Sequence, residues 1–177
     1  DIFHCDRNGY VWVAVDGTGL FRFAPDLSYR LFNDDVHGHI GKEISGIYED
    51  SLGVIYAVSE NGISVISGDA VSLITRADDV LAFDELPDGD LAFLSPDRLL
   101  ILDRATKEQK WIDLAGADAG NATSMTVTDG KLFVGFRDNT IAYVDPMTSE
   151  LVGHRSEMGR VRYLFPDPEG LLWIATD

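Results

Sequence analysis

The sequence has a single cysteine, Cys5, so no disulfide can form within the chain. A lone cysteine in an early strand is predicted to be a small buried apolar residue rather than a nucleophile. Basic residues are scarce as well: 14 lysines and arginines stand against 30 aspartates and glutamates, for a net charge of −16. Nucleic acids and anionic membrane surfaces both attract clustered basic side chains, so neither is an expected partner.

Long apolar runs are also missing, and no segment approaches the length of a membrane-spanning helix. The sequence lacks a phosphate-binding glycine loop and the Gly-x-Ser-x-Gly turn of hydrolases. Adjacent acids such as Asp34 and Asp35 would point to opposite faces of a strand, so they cannot flank one glycosidic bond. We therefore expect no cofactor, no catalytic residue and no direct membrane contact.

Glycine, by contrast, is abundant, with 17 residues, and it marks the turns of a repeated unit. In the stretch EDSLGVIYAVSENGISVI (49–66), a turn closing on Gly53 precedes a short apolar run rich in β-branched residues. Asn61-Gly62 then predicts a tight hairpin, because both residues tolerate the left-handed conformation of primed turns. The stretch predicts two strands joined by a hairpin, preceded by a strand over 44–48.

The unit recurs with a period of about 40 residues, and a glycine closes the first turn of each copy: Gly9, Gly53, Gly89, Gly130 and Gly170. This period, with several strands per copy, predicts a β-propeller with one four-stranded blade per repeat. The predicted fold class is all-β, a propeller segment of about four and a half repeats within one domain. The repeats span 1–41, 42–78, 79–119, 120–158 and, truncated, 159–177.

Both ends of the chain fall inside the repeat pattern, since it starts on a first strand and stops after a second strand. Propellers close when the two chain ends complete one blade, and these ends do not complement each other in that way. We expect the chain to belong to a larger propeller, whose other blades are its immediate partners.

The repeats resemble the two-component regulator propeller repeat, whose pattern runs roughly Asp-x-x-Gly-x-Leu-Trp-Ile-Gly-Thr and then Asn-Gly-Leu. The fifth repeat matches at Asp167, Gly170, Leu172, Trp173, Ile174 and Thr176. The first matches at Asp6, Gly9, Val11, Trp12, Val13 and Gly19-Leu20, and the second at Asp50, Gly53, Ile55 and Asn61-Gly62-Ile63. Tyr56 replaces the tryptophan in the second repeat, Phe133 holds that position in the fourth, and Ala92 holds it in the third.

This resemblance implies the periplasmic sensor region of a Bacteroidetes-type hybrid two-component system. In that family many such repeats form two propellers ahead of a small β-sandwich, a membrane helix and a histidine kinase. The sensors are anchored in the inner membrane and detect oligosaccharides, so the implied partners are an oligosaccharide and, in a homodimer, a second copy of the protein. The kinase residues lie outside this chain, which would carry recognition only.

Two other functions stay open from the residues alone. A propeller enzyme of the lyase or glycosidase type would need converging carboxylates or a Tyr–His–Arg set near the ring axis, and no spacing in the sequence suggests one. A protein-interaction scaffold would instead expose an apolar patch on one face.

Aromatic residues recur at one position of the repeat: Trp12, Tyr56, Phe133 and Trp173. Aromatic faces suit sugar rings, so these residues could form a carbohydrate-stacking platform. A residue that recurs within an apolar strand is more simply explained by packing between blades, and we predict that these side chains are part of the core.

The candidate binding residues lie in loops that a propeller places on one face, namely the connections between repeats and the hairpins between second and third strands. Segments 115–121 and 157–160 belong to the same predicted face. Polar side chains there could hydrogen-bond sugar hydroxyls, and Arg137, Arg160 and Arg162 could pair with a uronate or sulfate, because the guanidinium fork matches both anions. A surface ion pair with a nearby acid is the alternative for each arginine.

His37-Gly38-His39 is a His-x-His pair in the connection after the first repeat. A zinc site needs three or four converging ligands, so two histidines on a loop do not predict a metal site. The connection itself should lie on the ligand-binding face. The predicted ligand-binding residues are therefore His37, His39, Arg137, Asn139 and Arg160.

Overall fold

The computed structural model of the chain describes residues 2–77, 79–114, 121–155 and 159–177. Over these residues it contains eighteen β-strands and one short helix. They form two compact units, residues 1–80 and 81–177, which divide close to the boundary between the second and third repeats.

Unit 1 contains two four-stranded antiparallel sheets in which strands pair in sequence order. The first sheet consists of β1 (Phe3–Cys5), β2 (Val11–Val15), β3 (Gly19–Phe23) and β4 (Tyr29–Phe32). The second consists of β5 (Ile44–Glu49), β6 (Ile55–Ser59), β7 (Gly62–Ser67) and β8 (Ala70–Thr75). The single turn of α1 (Asp34–His37) lies between them, with the Asn33 side chain accepting the Val36 N–H and Gly38 ending the helix at φ 73°.

Unit 2 contains two further four-stranded antiparallel sheets and a two-stranded sheet. The third sheet consists of β9 (Ala82–Glu85), β10 (Leu91–Leu94), β11 (Arg98–Leu102) and β12 (Gln109–Asp113). The fourth consists of β13 (Ala122–Thr128), β14 (Lys131–Phe136), β15 (Thr140–Val144) and β16 (Leu151–Arg155), and β17 (Val161–Pro166) pairs with β18 (Leu172–Thr176).

The predicted fold class is confirmed: each repeat is one antiparallel meander, and the fifth has two strands. The helical turn α1 was not predicted, and the first strand of the third repeat begins at Ala82 rather than at Val80. The single domain stays a prediction. The predicted loop residues 115–120 and 156–158 lie outside the described residues.

An aspartate at the start of the first turn organises three of the repeats. In the first repeat the carboxylate of Asp6 accepts the backbone N–H groups of Asn8 and Tyr10 through Oδ1, and the Trp12 indole N–H through Oδ2 at 2.8 Å. Asp50 bonds in the same way to two backbone N–H groups and to the Tyr56 hydroxyl, and Asp167 to two N–H groups and the Trp173 indole. We call this arrangement the Asp–aromatic latch.

The third and fourth repeats lack both members of the latch. Leu86 and Val127 stand where the aspartate would be, and Ala92 and Phe133, which carry no hydrogen-bond donor, stand where the aromatic donor would be. The fourth repeat closes this turn instead with Asp129 and Gly130, both at positive φ, between the paired residues Thr128 and Lys131. The departures of these two repeats from the sequence pattern therefore fall at the two positions that form the latch.

The hairpin before β7 differs from the predicted one. Ser59 pairs with Gly62, so the loop comprises Glu60 and Asn61. Gly62 has φ 117°, and Asn61 is not among the residues with positive φ. The prediction of a primed turn with Asn61 in the left-handed region is therefore wrong: the glycine alone takes the unusual conformation, as the first residue of the returning strand.

Each unit has its own apolar core between adjacent sheets. In unit 1 Trp12, Leu20 and Phe32 of the first sheet pack with Ile47 and Ile55 of the second. In unit 2 the core joins the third and fourth sheets, with Leu94, Leu99, Val134 and Phe136 all at 1% exposure or less. Cys5 is not part of a core: it lies exposed on β1, so the prediction of a buried cysteine is wrong. The short edge strand β1 leaves its outward face uncovered.

Arg7 connects the first turn of repeat one to the first turn of repeat two. Its guanidinium donates to the backbone carbonyls of Asp50 and Ser51, and its Nε lies 2.9 Å from the Glu49 carboxylate. His4 contacts the other oxygen of Glu49 at 3.0 Å. The Glu49 side chain is only 11% exposed, whereas the side chains of His4 and Arg7 are 28% and 49% exposed, so the carboxylate is the most buried of the three groups.

Ionised Glu49 should stabilise unit 1, and this contribution to stability should be lost at acid pH. Burial alone would raise the pKa of Glu49, but hydrogen bonds from His4 and Arg7 outweigh it and hold the pKa below the ordinary 4.5. The stabilisation is therefore present above the unfolded-state value and is lost as the pH falls through the lower folded-state pKa. We expect Glu49→Gln to cost about 1–3 kcal/mol at neutral pH and to flatten the acid side of the stability profile.

The measurement is urea unfolding at about pH 7 and about pH 4. Glu150→Gln, on an exposed turn, is the control and should leave the profile unchanged. An E49Q profile parallel to that of the wild type would contradict the assignment.

Candidate functional site

Unit 2 contains a cleft of about 440 Å³ at one end of its first strands. Three segments enter it at equivalent places: the residue before β9, the start of β13 and the start of β17. The hairpin after β14 supplies one more side chain. The lining residues are Leu81, Ala122, Thr123, Arg137, Arg160, Val161, Arg162 and Tyr163.

Two β-bulges direct side chains toward this cleft. In the pairing of β13 with β14 the register shifts between Ala122 and Ser124, leaving Thr123 as the extra residue. In the pairing of β17 with β18 it shifts between Val161 and Tyr163, leaving Arg162 as the extra residue. A bulge turns its extra side chain away from the regular alternation of the strand, which brings Thr123 and Arg162 into the lining.

Close packing of the fourth and fifth repeats holds the two bulges together. Val161 is fully buried, and a Cβ on Gly135 would overlap its side chain, so only glycine allows β17 to approach β14 here. The Thr123 hydroxyl lies 2.9 Å from the Val161 carbonyl and 3.1 Å from that of Gly135. Arg160 and Arg162 flank this buried valine in sequence, so its packing fixes the backbone positions of both arginines.

The lining carries three arginines, all with exposed side chains. Arg162 Nε donates to the Asp177 carboxylate at 2.5 Å, and this hydrogen bond raises the pKa of the already basic Arg162 further. Among the described residues no carboxylate pairs with the guanidinium of Arg137 or Arg160. Their backbone groups are satisfied, because the Arg137 N–H donates to Asn121 and the Arg160 carbonyl accepts from Asp177.

The structure brings two of the predicted ligand-binding residues together. Arg137, from a second-to-third strand hairpin, and Arg160, from a connection between repeats, meet in the same cleft. Asn139 lies in the hairpin of Arg137 with φ 74°, and it shapes the turn without lining the cleft. His37 and His39 belong to unit 1 and are not among the described residues that line this cleft.

The histidines of the His-x-His pair do not converge. The His37 ring stacks on Phe32 with centroids 5.0 Å apart, which keeps it on its own sheet. His39 is exposed, and its backbone carbonyl accepts the Ser64 hydroxyl. Over the described residues no group of three or more His, Cys, Asp or Glu side chains could hold a metal ion.

The recurring aromatic position is partly as predicted. Trp12 and Tyr56 are each 2% exposed and belong to the interior of unit 1. Trp173 is 63% exposed, so the prediction of a core residue is wrong for the fifth repeat. Phe32 on the fourth strand covers Trp12 at 5.5 Å, whereas the fifth repeat comprises β17 and β18 alone and has no such strand in this structure.

Two further clefts have structural explanations. In unit 1 a cleft of about 440 Å³ surrounds Arg22, whose guanidinium donates to Gly68 and Asp69 and faces the ring of Tyr10 at 5.1 Å. In unit 2 a cleft of about 340 Å³ contains Lys110, whose ammonium donates to the carbonyls of Pro146 and Met147. Both cations are already held by protein groups.

Sequence reasoning missed Leu81, Thr123 and Tyr163 as cleft residues. Thr123 depends on a bulge that no glycine or proline marks, and Leu81 is an ordinary apolar residue before a strand. The spacing between repeats is the signal that could have found them, because Leu81 and Arg162 stand at the same distance before Gly89 and Gly170. Among the described residues, no helix has the length and apolar character needed to span a membrane.

No protein-family model and no curated protein sequence matches the chain. Solved structures do. The extracellular domain of the hybrid two-component system BT4673 from B. thetaiotaomicron matches 98% of the chain, with a TM-score of 0.78 and 17% identity, and the chain spans 26% of it. Virginiamycin B lyase from Staphylococcus aureus matches 98% with a TM-score of 0.73 and 13% identity, and the chain spans 61% of it.

A third solved structure is PorZ, a surface component of the type-IX secretion system of Porphyromonas gingivalis. It matches 99% of the chain with a TM-score of 0.71 and 17% identity, and the chain spans 31% of it. At these identities the likeness concerns the fold. The resemblance noted in the repeats is borne out at that level: extracellular domains of hybrid two-component systems are among the structures whose fold this β-propeller chain shares.

Proposed function

We propose that the chain is part of the extracellular ligand-sensing region of a two-component system, and that the cleft of unit 2 binds an oligosaccharide. The observation that carries this proposal is the construction of the cleft. Equivalent ends of three successive first strands converge there, and first strands surround the axis of a propeller, where ligands commonly bind. The repeat pattern and the fold likeness to sensor domains support the same assignment.

The side chains of the cleft suit a sugar. Tyr163 is 61% exposed and offers a ring face on which a pyranose can stack, and its hydroxyl and the arginine donors can bond to sugar hydroxyls. In the wider proposal the parent protein is anchored in the inner membrane, dimerises there, and carries the histidine kinase outside this chain. Binding would alter packing between blades and pass that change to the membrane.

The outward face of the first sheet supports further blades as partners. Phe3, Tyr29 and Val15 on that face are 73%, 64% and 41% exposed, while the opposite face of the same sheet packs against the second repeat. An apolar sheet face of this kind fits another blade of the same repeat.

Tyr163→Ala is expected to lower the affinity for the bound oligosaccharide about tenfold or more, because it removes the stacking surface. The measurement is calorimetric titration of the protein with a panel of plant and host oligosaccharides. Tyr29→Ala, an equally exposed tyrosine in unit 1, is the matched control and should bind as the wild type does. Absence of heat with every saccharide, or equal losses in Y163A and Y29A, would overturn the assignment.

A lyase is the second candidate, since the fold is also that of virginiamycin B lyase and Tyr163 lies beside arginines. The described lining holds no histidine and no carboxylate that could act as a general base. Mass spectrometry after prolonged incubation with bound saccharides separates the two: intact ligand supports sensing, and cleaved ligand supports the enzyme.

A further inference from the structure

We infer that the cleft selects an acidic saccharide: Arg137 and Arg160 receive its carboxylate or sulfate group, and Asp177 competes with that group for Arg162. This inference deepens the proposed function and rests on it. It adds the charge of the ligand and an internal competitor to the plain recognition of a sugar.

The distribution of charge is the first argument. The chain carries a net charge of −16 and only 14 basic residues, yet three of them line this one cleft. Among the described residues that line the cleft there is no aspartate or glutamate. The clustered arginines attract an anion to the cleft, while the acidic remainder of the protein repels it. The walls of a cleft strengthen this electrostatic attraction.

The partners of the arginines are the second argument. Three arginines outside the cleft have carboxylate partners: Arg7 pairs with Glu49, Arg22 with Asp69, and Arg104 with Glu85. Arg137 and Arg160 pair with no described carboxylate, although Asp138 is adjacent in sequence. Asp138 instead accepts the N–H of Thr140 within its own turn. The two guanidinium forks therefore remain available for bidentate bonds to an oxyanion.

Asp177 shows that an arginine of this cleft can bind a carboxylate. Its carboxylate bonds to Arg162 Nε, while its backbone N–H bonds to the carbonyl of Arg160, so it sits against the rim of the cleft. A ligand anion that engages Arg162 must compete with this carboxylate. Removing the charge of Asp177 should therefore strengthen binding, which is the opposite of what removal of an arginine does.

The test uses calorimetry with three matched tetrasaccharides: a neutral galactose tetramer, its uronate counterpart tetragalacturonate, and a sulfated galactose tetramer. We expect at least one acidic tetramer to bind more tightly than the neutral one by tenfold or more, with an affinity that falls as salt is added. The two acidic arms show whether the anion is a carboxylate or a sulfate. Methyl-esterified tetragalacturonate should lose the advantage of the uronate.

Variants locate the effect. Arg137→Gln and Arg160→Gln should each weaken binding of the acidic tetramer by about ten- to a hundredfold, and Asp177→Asn should tighten it. Arg98→Gln, at an exposed arginine of the same unit outside the cleft, is the control and should change nothing. Arg160→Lys should recover only part of the affinity, because a lysine keeps the charge but not the fork.

The outcomes separate this inference from the proposed function. Equal binding of neutral and acidic tetramers would overturn the inference and leave oligosaccharide sensing in place. Acidic binding that R137Q and R160Q leave unchanged would overturn the site, and so would weaker binding in D177N. If none of the three tetramers bound, the inference would be overturned. The proposed function would be overturned only if no saccharide of the whole panel bound.

Discussion

Replacing Gly62 by alanine is expected to destabilise unit 1 by about 3–5 kcal/mol. Gly62 has φ 117°, a conformation that side chains rarely adopt, and its Cα faces the backbone of the strand beside it. A Cβ there would overlap the Thr75 carbonyl oxygen and would lie 2.8 Å from the Arg76 Cα. Backbone atoms held in a sheet cannot turn aside as a flexible side chain can, so the strain must spread into the pairing of β7 with β8.

Gly68 provides the matched control for this experiment. It also has a positive φ, 63°, and lies in the turn between the same two strands, but an added Cβ would meet nothing within 4 Å. Gly68→Ala should therefore cost only the conformational term of about 1 kcal/mol. Chemical denaturation of both variants measures the difference. Equal losses in the two would show that the overlap at Gly62 is relieved at little cost.

Replacing Asp6 by alanine is the second large effect, expected on the order of 3–5 kcal/mol. Asp6 is 9% exposed, and its removal leaves the N–H groups of Asn8 and Tyr10 and the indole of Trp12 without their acceptor. Each buried donor left unpaired costs about 1–3 kcal/mol. The buried indole should dominate the loss, because Trp12 is only 2% exposed and water cannot easily replace the carboxylate.

Asp167→Ala tests the same latch where water can replace it. There the hydrogen bond from the Trp173 indole holds the pKa of Asp167 below its usual range, but the tryptophan is 63% exposed. We expect a far smaller loss of stability than in D6A, measured by urea unfolding of both variants. In the background of Trp12→Phe, which removes the buried donor, Asp6→Ala should lose much of its effect. If Asp6→Ala destabilised the Trp12→Phe variant as strongly as it destabilises the wild type, the stabilisation would come from the two backbone hydrogen bonds alone.

Most of the strand order could be predicted because turns carry strong local signals. Gly9, Gly53 and Gly170 each close a first turn at positive φ. In the first two repeats the second and third strands follow within a residue or two of their predicted positions. The start of β9 was placed two residues early, because Val80-Leu81 is apolar like a strand although the paired residues begin at Ala82. Local composition does not show where pairing begins.

One regular signal was overlooked. The segments DRATKE (103–108) and DPMTSE (145–150) share aspartate, threonine and glutamate at the same positions. In both turns the aspartate accepts the N–H groups two and three residues later, and Lys107 and Ser149 take positive φ. The alignment of these two segments would have predicted the third-to-fourth strand turns of repeats three and four.

The candidate site was predictable in part. Arg137 and Arg160 meet because a second-to-third strand hairpin and a connection between repeats end at the same edge of a blade, which the topology alone dictates. The bulges at Thr123 and Arg162 depend on how the fifth repeat packs against Gly135, and no local residue pattern reports that. The place of His37 was equally hidden, since its stacking on Phe32 arises from a helical turn that its loop sequence did not suggest.

The Asp–aromatic latch also constrains the order in which such repeats can diverge. Loss of the aspartate first strands a buried indole, whereas exchange of the tryptophan for a non-donor first leaves the aspartate with its two backbone partners. The permissive route therefore runs through the aromatic residue. Tyr56 keeps a donor, with a longer bond of 3.2 Å to Asp50, whereas the fourth repeat has Val127 and Phe133 and neither member of the latch. We therefore expect substitutions at the two positions of one latch to be coupled in their effect on stability, and substitutions in different repeats to add independently.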